Sequence, residues 1–127
     1  MTNNTSAAAD PAFAGKQDAC KTFLEQTKQL ISLASAFLFA PAAVFTWSKD
    51  VSAAKLASGV PWLIAIESFF VLSVILGYVT IGTIAGTQND GSYNVYRPAM
   101  REFALAQFIA YVIGLCVFGV FIAHLYV

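Results

Sequence analysis

The sequence predicts an all-α membrane protein with three transmembrane helices, preceded by a short amphipathic juxtamembrane helix. Two observations predict this fold class. The 127 residues are 58% hydrophobic and only 11% charged, with a mean hydropathy of +0.69, whereas a soluble domain has about 25% charged residues. Three apolar runs, at about residues 30–47, 62–85 and 103–126, are each long enough to cross the hydrocarbon core of a bilayer.

The first 15 residues are small and polar and show no periodicity, so we expect a disordered leader followed by a single membrane domain over residues 16–127. The leader has no basic segment followed by an apolar core, so it is not predicted to be a cleavable signal peptide. From Lys16 onward, apolar residues recur every three to four positions, with Lys21 and Glu25 paired on the polar side. This pattern predicts an amphipathic helix that continues into the first span.

The first span is short and ends at Trp47, a residue suited to the membrane interface. Pro41 lies inside it and removes a backbone hydrogen bond, which predicts a kink near Phe37. Lys49 and Asp50 then end the span.

The second and third spans are separated by a clear turn. Residues 48–60 are interpreted as a short loop with room for a surface-lying turn of helix, and Pro61 as the first residue of the second helix. The sequence QNDGS at residues 88–92 is a turn signal. Pro98 opens the third helix, and residues 103–127 carry no formal charge.

The distribution of basic residues predicts the orientation. One side carries five, namely Lys16, Lys21, Lys28, Arg97 and Arg101, and the other carries two, Lys49 and Lys55. Cytoplasmic loops are enriched in Lys and Arg, so the N-terminus should be cytoplasmic and the C-terminus extracytoplasmic.

Glu67 is the only charged residue between Leu56 and Asn89. A carboxylate at the centre of a membrane helix costs about 2.5–3.5 kcal/mol. If the helix begins at Pro61, Glu67 lies roughly 8 Å below the interface, near a helix N-terminus whose dipole favours negative charge. Lys49 and His124 are expected at the same level, so the three form a candidate ion or proton site. A structural carboxyl, which reaches the interface or bonds a neighbouring helix, is the favoured interpretation.

Ladders of small residues at four-residue spacing are candidates for helix packing. They are Ser32, Ala36 and Ala40 in the first span, Ser73 and Gly77, then Gly82 and Gly86 in the second, and Ala106, Ala110 and Gly114 in the third. Packing within one bundle is the simplest interpretation. Three helices with such ladders nevertheless offer more close-packing surface than one bundle needs, which favours self-association or docking into a larger complex.

The chain has no recognisable catalytic motif, and two cysteines with one histidine do not make a metal cluster, so we expect neither an enzyme nor a cofactor. Net charge is zero, which gives no basic field for nucleic acid. The preferred hypothesis is a non-enzymatic membrane subunit that contacts the bilayer and assembles with itself or with other membrane subunits. The alternatives are a homo-oligomeric ion channel or membrane-permeabilising effector using Glu67, and a small subunit of a redox or quinone-linked membrane complex.

Three stretches carry a family resemblance. They are KQLISLASAFLF, WLIAIESFFVLSVILGYVTIGTIAG and RPAMREFALAQFIAYVIGLCVFGVF. Together they resemble a group of uncharacterised small bacterial membrane proteins with three transmembrane helices. The resemblance implies the three-helix topology and a prokaryotic source, hence a bacterial inner membrane, and it implies no activity and no site residues.

Overall fold

The computed structural model of the protein describes residues 11–47 and 52–126. These residues form four helices and no strand: α1 (Pro11–Phe37), α2 (Ala40–Trp47), α3 (Ala53–Asn89) and α4 (Pro98–Tyr126). Three segments of the described chain are long and apolar enough to cross a membrane, namely Pro11–Val44, Ala53–Asn89 and Pro98–Leu125. The predicted fold class, an all-α membrane protein with three spans, is confirmed.

Helix α1 begins within the segment that the sequence assigns to a disordered leader. Pro11 suits the first position of a helix, and alanines follow it. The Phe13 ring packs edge-on against Tyr93, with the ring centroids 5.2 Å apart. Residues 11–15 are therefore helical, whereas the rest of the predicted leader, residues 1–10, lies outside the described part of the chain. The amphipathic segment is the first half of α1 and not a separate helix.

The predicted kink near Phe37 is confirmed. Helix α1 ends at Phe37 and α2 begins at Ala40. Because Pro41 has no N–H, the Phe37 carbonyl has no helical donor from that position. At the break, the Phe39 N–H donates to the Ala36 carbonyl over 3.2 Å, which is a tighter turn than an α-helix makes.

The expectation that Pro61 starts the second helix is wrong. Helix α3 begins at Ala53, where the Ser52 side chain caps it by accepting from the Lys55 N–H over 3.3 Å. Pro61 lies inside the helix, where packing on both sides holds the chain helical: Gly59 contacts Phe121, and Ile66 is buried. The 37 residues of α3 extend about 55 Å, well beyond a hydrocarbon core of about 30 Å.

Helix α3 is central and packs against both α1 and α4 with the same buried side, whereas α1 and α4 touch only sparsely. The packing forms two cores. The larger one is Ala34, Ile66, Phe70, Phe121 and Leu125. The smaller one, Cys20, Ile84 and Met100, lies next to the loop between α3 and α4, at what we call the loop end of the bundle.

The turn predicted around Asn89 to Gly91 is confirmed. Helix α3 ends at Asn89, and Gly91 adopts a φ of +66°, a conformation that glycine takes without strain. The Asp90 carboxylate lies 3.5 Å from the Arg97 guanidinium, so an exposed ion pair spans the loop. Pro98 then opens α4, as predicted.

Candidate functional site

Glu67 lies deep within α3. It follows the first residue, Ala53, by 14 positions, or about 21 Å, and precedes Asn89 by 22 positions, or about 33 Å. The influence of a helix dipole is confined to the first and last turns. The expected stabilisation by a nearby helix N-terminus is therefore wrong, because the helix starts eight residues before Pro61. The carboxyl group thus lies well inside the Ala53–Asn89 segment, nearer to its Ala53 end.

The Glu67 side chain is exposed on the surface of the bundle, and no residue of the described ranges forms a hydrogen bond or ion pair with it. His124 instead pairs with Ser58, whose Oγ lies 3.3 Å from its Nε2. Ser58 precedes Glu67 by nine positions, about 13 Å along the helix. The structure therefore does not join Glu67 to His124. Lys49 lies outside the described residues, and its pairing with Glu67 stays a prediction.

The predicted small-residue ladders divide between the inside and the outside of the bundle. Ser73 and Gly77 are buried, as are Ala110 and Gly114, and a Cβ added to Gly114 would lie 3.1 Å from the Phe70 ring. Ala40 and Ala106 are half-buried. Ser32 and Ala36 are exposed, and Gly82 and Gly86 are exposed with no side-chain or distant backbone atom within 4 Å of an added Cβ. Gly82 and Gly86 therefore have no packing role within the described monomer.

Gly82 and Gly86 belong to a continuous stripe on α3, opposite its buried side, which we call the outer face. Exposed residues recur along it every three to four positions: Ile64, Ser68, Val71, Ile75, Val79, Gly82 and Gly86. This spacing is the one by which a helix contacts another helix along its length. Glu67 lies on the flank of the outer face, next to Ile64 and Val71 by helical spacing.

The three long helices approach most closely at a group of polar and small residues between the two cores, which we call the polar waist: Thr27, Ser73, Gly77 and Gln107. A Cβ added to Gly77 would lie 2.5 Å from Ile31 on α1 and 2.6 Å from Gln107 Nε2 on α4. The Ser73 hydroxyl donates to the Gln107 carbonyl over 3.0 Å. The Gln107 side-chain amide donates to the Thr27 carbonyl over 3.5 Å. Backbone and side-chain polar groups thus connect all three helices.

Gln107 is the residue that sequence reasoning missed. Its side chain is fully buried, and its Oε1 atom has no hydrogen-bond partner among the described residues. The sequence does carry a signal, since Gln107 is the one amide side chain in the apolar run from Phe103 to Val127. A neutral amide attracts less attention than a charge, although a buried acceptor without a donor is also costly.

A cavity of about 300 Å³ lies next to Gln107 in the cleft between α1 and α4. Its walls include Phe23 and Leu30 from α1 and Leu105 and Phe108 from α4, and Gln26 and Arg101 also line it. Because α1 and α4 touch so sparsely, the cleft opens sideways, and Leu105 and Phe108 are exposed along it.

Arg101 is the cationic group of this cleft. It also lines two adjoining cavities of about 450 and 330 Å³, both shared with Tyr96. Its guanidinium forms no ion pair with any described residue. A charged donor that is not neutralised by its neighbours is therefore available at the loop end of the cleft.

The residues that line the cleft between α1 and α4 can bind a ligand through hydrogen bonds and apolar contacts. Within residues 11–47 and 52–126, no group of three His, Cys, Asp or Glu side chains is arranged to hold a metal ion. No protein-family model matches the chain, and comparisons with curated proteins and with solved structures likewise find no match.

Proposed function

We propose that this protein is a non-enzymatic integral membrane subunit of a bacterial inner membrane. It assembles through the outer face of α3, with a second copy of itself or with another membrane subunit, and scaffolds or anchors the resulting complex. The observation that supports this proposal is the exposed position of Glu67 well inside a helix that is long and apolar enough to span a membrane.

The argument from Glu67 is energetic. A carboxylate at the centre of a membrane helix costs about 2.5–3.5 kcal/mol. Glu67 lies 14 residues inside α3, and no described residue forms a hydrogen bond or ion pair with it that would offset such a cost. A helix packed on the outer face would remove the carboxyl from lipid and supply a hydrogen-bond partner.

The outer face itself supports close helix contact. Lipid provides no hydrophobic drive for helix association, so membrane interfaces rely on tight packing, which small residues allow. Gly82 and Gly86 offer such an approach at the loop end, and Ile75 and Val79 offer side chains to interdigitate. The interior of the bundle uses Ser73 and Gly77 instead, so the outer residues remain available for a partner.

We further propose that the N-terminus and the loop end face the cytoplasm. The loop end holds five basic residues, Lys16, Lys21, Lys28, Arg97 and Arg101, which supports this orientation by the positive-inside rule. The first half of α1 and the α3–α4 loop would then be accessible to soluble partners.

The assembly is tested by cysteine crosslinking in native membranes. In a chain carrying Cys20→Ala and Cys116→Ala, we expect Ile75→Cys on the outer face to form a disulfide-linked dimer, or a crosslink to a partner subunit. Val112→Cys, an exposed aliphatic position on α4, is the matched control and should remain monomeric. A monomer in mild detergent, with no crosslink at position 75, would exclude assembly through this face.

The contribution of Glu67 is tested in the same assay. Hydrogen bonds between membrane helices are worth about 0.6–1.7 kcal/mol, so Glu67→Leu should weaken association about 3-fold to 20-fold. Glu67→Gln keeps the hydrogen-bonding capacity and should stay close to the wild-type value. Equal crosslinking of Glu67→Leu and wild type would show that Glu67 does not contribute to the interface.

A homo-oligomeric channel is the second candidate, and the outward direction of Glu67 favours it. Aromatic rings pack against one another in the interior of one bundle, with the Phe37 and Phe70 centroids 5.4 Å apart. A conducting path would therefore need several copies whose outer faces surround it. Ion flux into liposomes that falls in Glu67→Gln would support this function, whereas unchanged flux, or none in wild type, would refute it.

A further inference from the structure

We propose that the cleft between α1 and α4 binds an anionic phospholipid, whose phosphate is held by Arg101, Gln26 and Tyr96. The site is separate from the outer face of α3, so the inference holds whether or not the chain assembles. It requires only that the protein lies in a bilayer, and three of its described segments are long and apolar enough to span one.

The first step is charge. Arg101 is the one charged residue that lines the cavity of about 450 Å³, and it forms no ion pair with any described residue. Lys16, also without an ion pair in the described ranges, lines a cavity of about 740 Å³ that shares Ala19 and Tyr96 with the first. Glu102 lines a third cavity, of about 330 Å³, and not the cavity of 450 Å³. An anion in the cavity of 450 Å³ therefore meets a cation and no carboxylate.

The second step is hydrogen bonding. A phosphate diester only accepts hydrogen bonds, and the Arg101 guanidinium can donate two parallel ones to it. The Gln26 amide and the Tyr96 hydroxyl form no hydrogen bond with any described residue, and both residues line the same cavity as Arg101. The Thr22 hydroxyl is already used, since it donates to the Asp18 carbonyl over 3.0 Å. Three residues with unused side-chain donors thus line this cavity.

The third step is depth. Because the Gln107 side chain donates to the Thr27 carbonyl, these two residues lie at the same level. The exposed Lys28–Glu25 ion pair lies next to this level, and α1 carries no charge beyond it, so we expect the hydrocarbon to begin about here. Arg101 precedes Gln107 by six positions and lies about 9 Å farther out. A headgroup layer is about 5–8 Å thick on each side of the hydrocarbon, so lipid phosphates lie beside this part of the cleft.

The fourth step is the apolar part of the cleft. The cavity of about 450 Å³ shares Phe23, Gln26 and Arg101 with the neighbouring cavity of about 300 Å³. Leu105 and Phe108 line that second cavity and are exposed along its sideways opening. The glycerol esters and first methylene groups of a phospholipid would cover these apolar walls, whereas inorganic phosphate would leave them bare. Basic pockets between membrane helices are a general type of headgroup site, and an amphipathic anion matches both parts of this cleft.

The binding test uses the full-length protein in micelles of an uncharged detergent. Circular dichroism measures the thermal midpoint, which a ligand of the folded state raises. We expect phosphatidylglycerol to raise the midpoint with an affinity about tenfold higher than that of phosphatidylcholine, because the choline group brings a cation close to Arg101 and Lys16. Inorganic phosphate at the same concentrations should give no shift.

Three results of this test would overturn the proposal. Equal shifts with phosphatidylglycerol and phosphatidylcholine would show general partition of lipid into the micelle. A shift with inorganic phosphate alone would assign the site to a soluble anion. A larger shift with phosphatidylethanolamine than with phosphatidylglycerol would show that Glu102 binds the ammonium group and that the ligand is zwitterionic.

Two pairs of variants locate the site, each compared with its own midpoint in the absence of lipid. Arg101→Gln should lower phosphatidylglycerol affinity about tenfold. Arg97→Gln makes the same charge change outside these cavities and should bind like wild type. Gln26→Ala should lower the affinity about threefold, whereas the matched control Gln29→Ala, also exposed on α1, should not. Equal losses in Arg101→Gln and Arg97→Gln would reveal an effect of net charge only and refute the site, as would wild-type affinity in Arg101→Gln.

Discussion

Gly77 is the residue that allows the three long helices to meet. Its missing side chain brings Ile31 and the Gln107 amide to within van der Waals contact of the α3 backbone. A side chain at this position would force Ile31 and the Gln107 amide to shift and would disturb the contacts of the polar waist. The close packing of Ile31 and Gln107 against α3 thus requires glycine at position 77.

Substitution of Gly77 by alanine should therefore destabilise the fold. We expect Gly77→Ala to lower the free energy of unfolding by about 1–3 kcal/mol, the usual cost of overpacking. Gly82→Ala is the matched control, because an added Cβ there meets no side chain within 4 Å, and alanine is the better helix former by about 0.5–1 kcal/mol. Denaturant titration in micelles measures both. Equal stability of the two variants would mean that α1 does not pack tightly at the waist.

Glu67 and Gln107 show how far the surroundings of a single residue can be predicted from the sequence. The charge of Glu67 makes its cost evident, but its position within the helix depends on where α3 begins, which is eight residues before the predicted start at Pro61. Gln107 is uncharged, and its burial depends on contacts with Thr27 and Ser73, which lie 80 and 34 residues away along the chain. Such contacts are fixed by the packing of three helices, and periodicity within one helix does not specify them.

At the scale of helices, the two prolines in membrane spans have different consequences. Pro41 coincides with a break between α1 and α2, whereas Pro61 lies within a continuous α3. Each proline removes one backbone hydrogen bond. The difference lies in the surroundings, because α3 is held against α4 on both sides of Pro61, by Gly59 and by Ile66.

Restoring the missing N–H should straighten the first span. In Pro41→Ala we expect α1 and α2 to become one helix, which would place positions 33 and 46 about 20 Å apart, since they are 13 residues apart. Nitroxide labels at Leu33→Cys and Thr46→Cys in a chain free of other cysteines measure that distance by pulsed electron resonance.

The matched control is Pro61→Ala with labels at Lys55→Cys and Ser68→Cys, also 13 residues apart. This distance should change little because α3 is already continuous. If Pro41→Ala leaves its own distance unchanged, packing and not the missing hydrogen bond sets the kink.

The spans themselves were predictable because about 20 apolar residues in a row have few other solutions. The ends of the helices were harder to predict from the sequence. Proline at position 61 satisfied a general preference for the first helical turn, but the Ser52 cap and the helix formers after it extended α3 by two turns. Local signals compete at helix ends, and the contact of Gly59 with Phe121 is visible only in the folded chain.

At the scale of the whole molecule, the bundle is longer than a bilayer is thick. Helix α3 exceeds the hydrocarbon core by about 25 Å, and the charged residues of α1 and the α3–α4 loop lie at the loop end. We therefore expect the small core of Cys20, Ile84 and Met100 to lie in a helical extension outside the lipid.

Hydrogen exchange in lipid nanodiscs should reveal this extension. We expect peptides covering residues 11–26 and 86–97 to exchange at least tenfold faster than peptides covering residues 62–79 and 104–122, because water reaches only the former. Mass spectrometry after timed labelling measures the rates, with the protein in detergent as a reference. Equal protection along all of α1 would place its first half within the lipid.

The polar waist also sets an order of events during synthesis. Helix α1 leaves the ribosome first, yet the surfaces that receive Ile31 and Thr27 are made by Gly77 and Gln107, which are synthesised later. Until α4 is inserted, α1 has no completed docking surface, since membrane helices form first and associate afterwards.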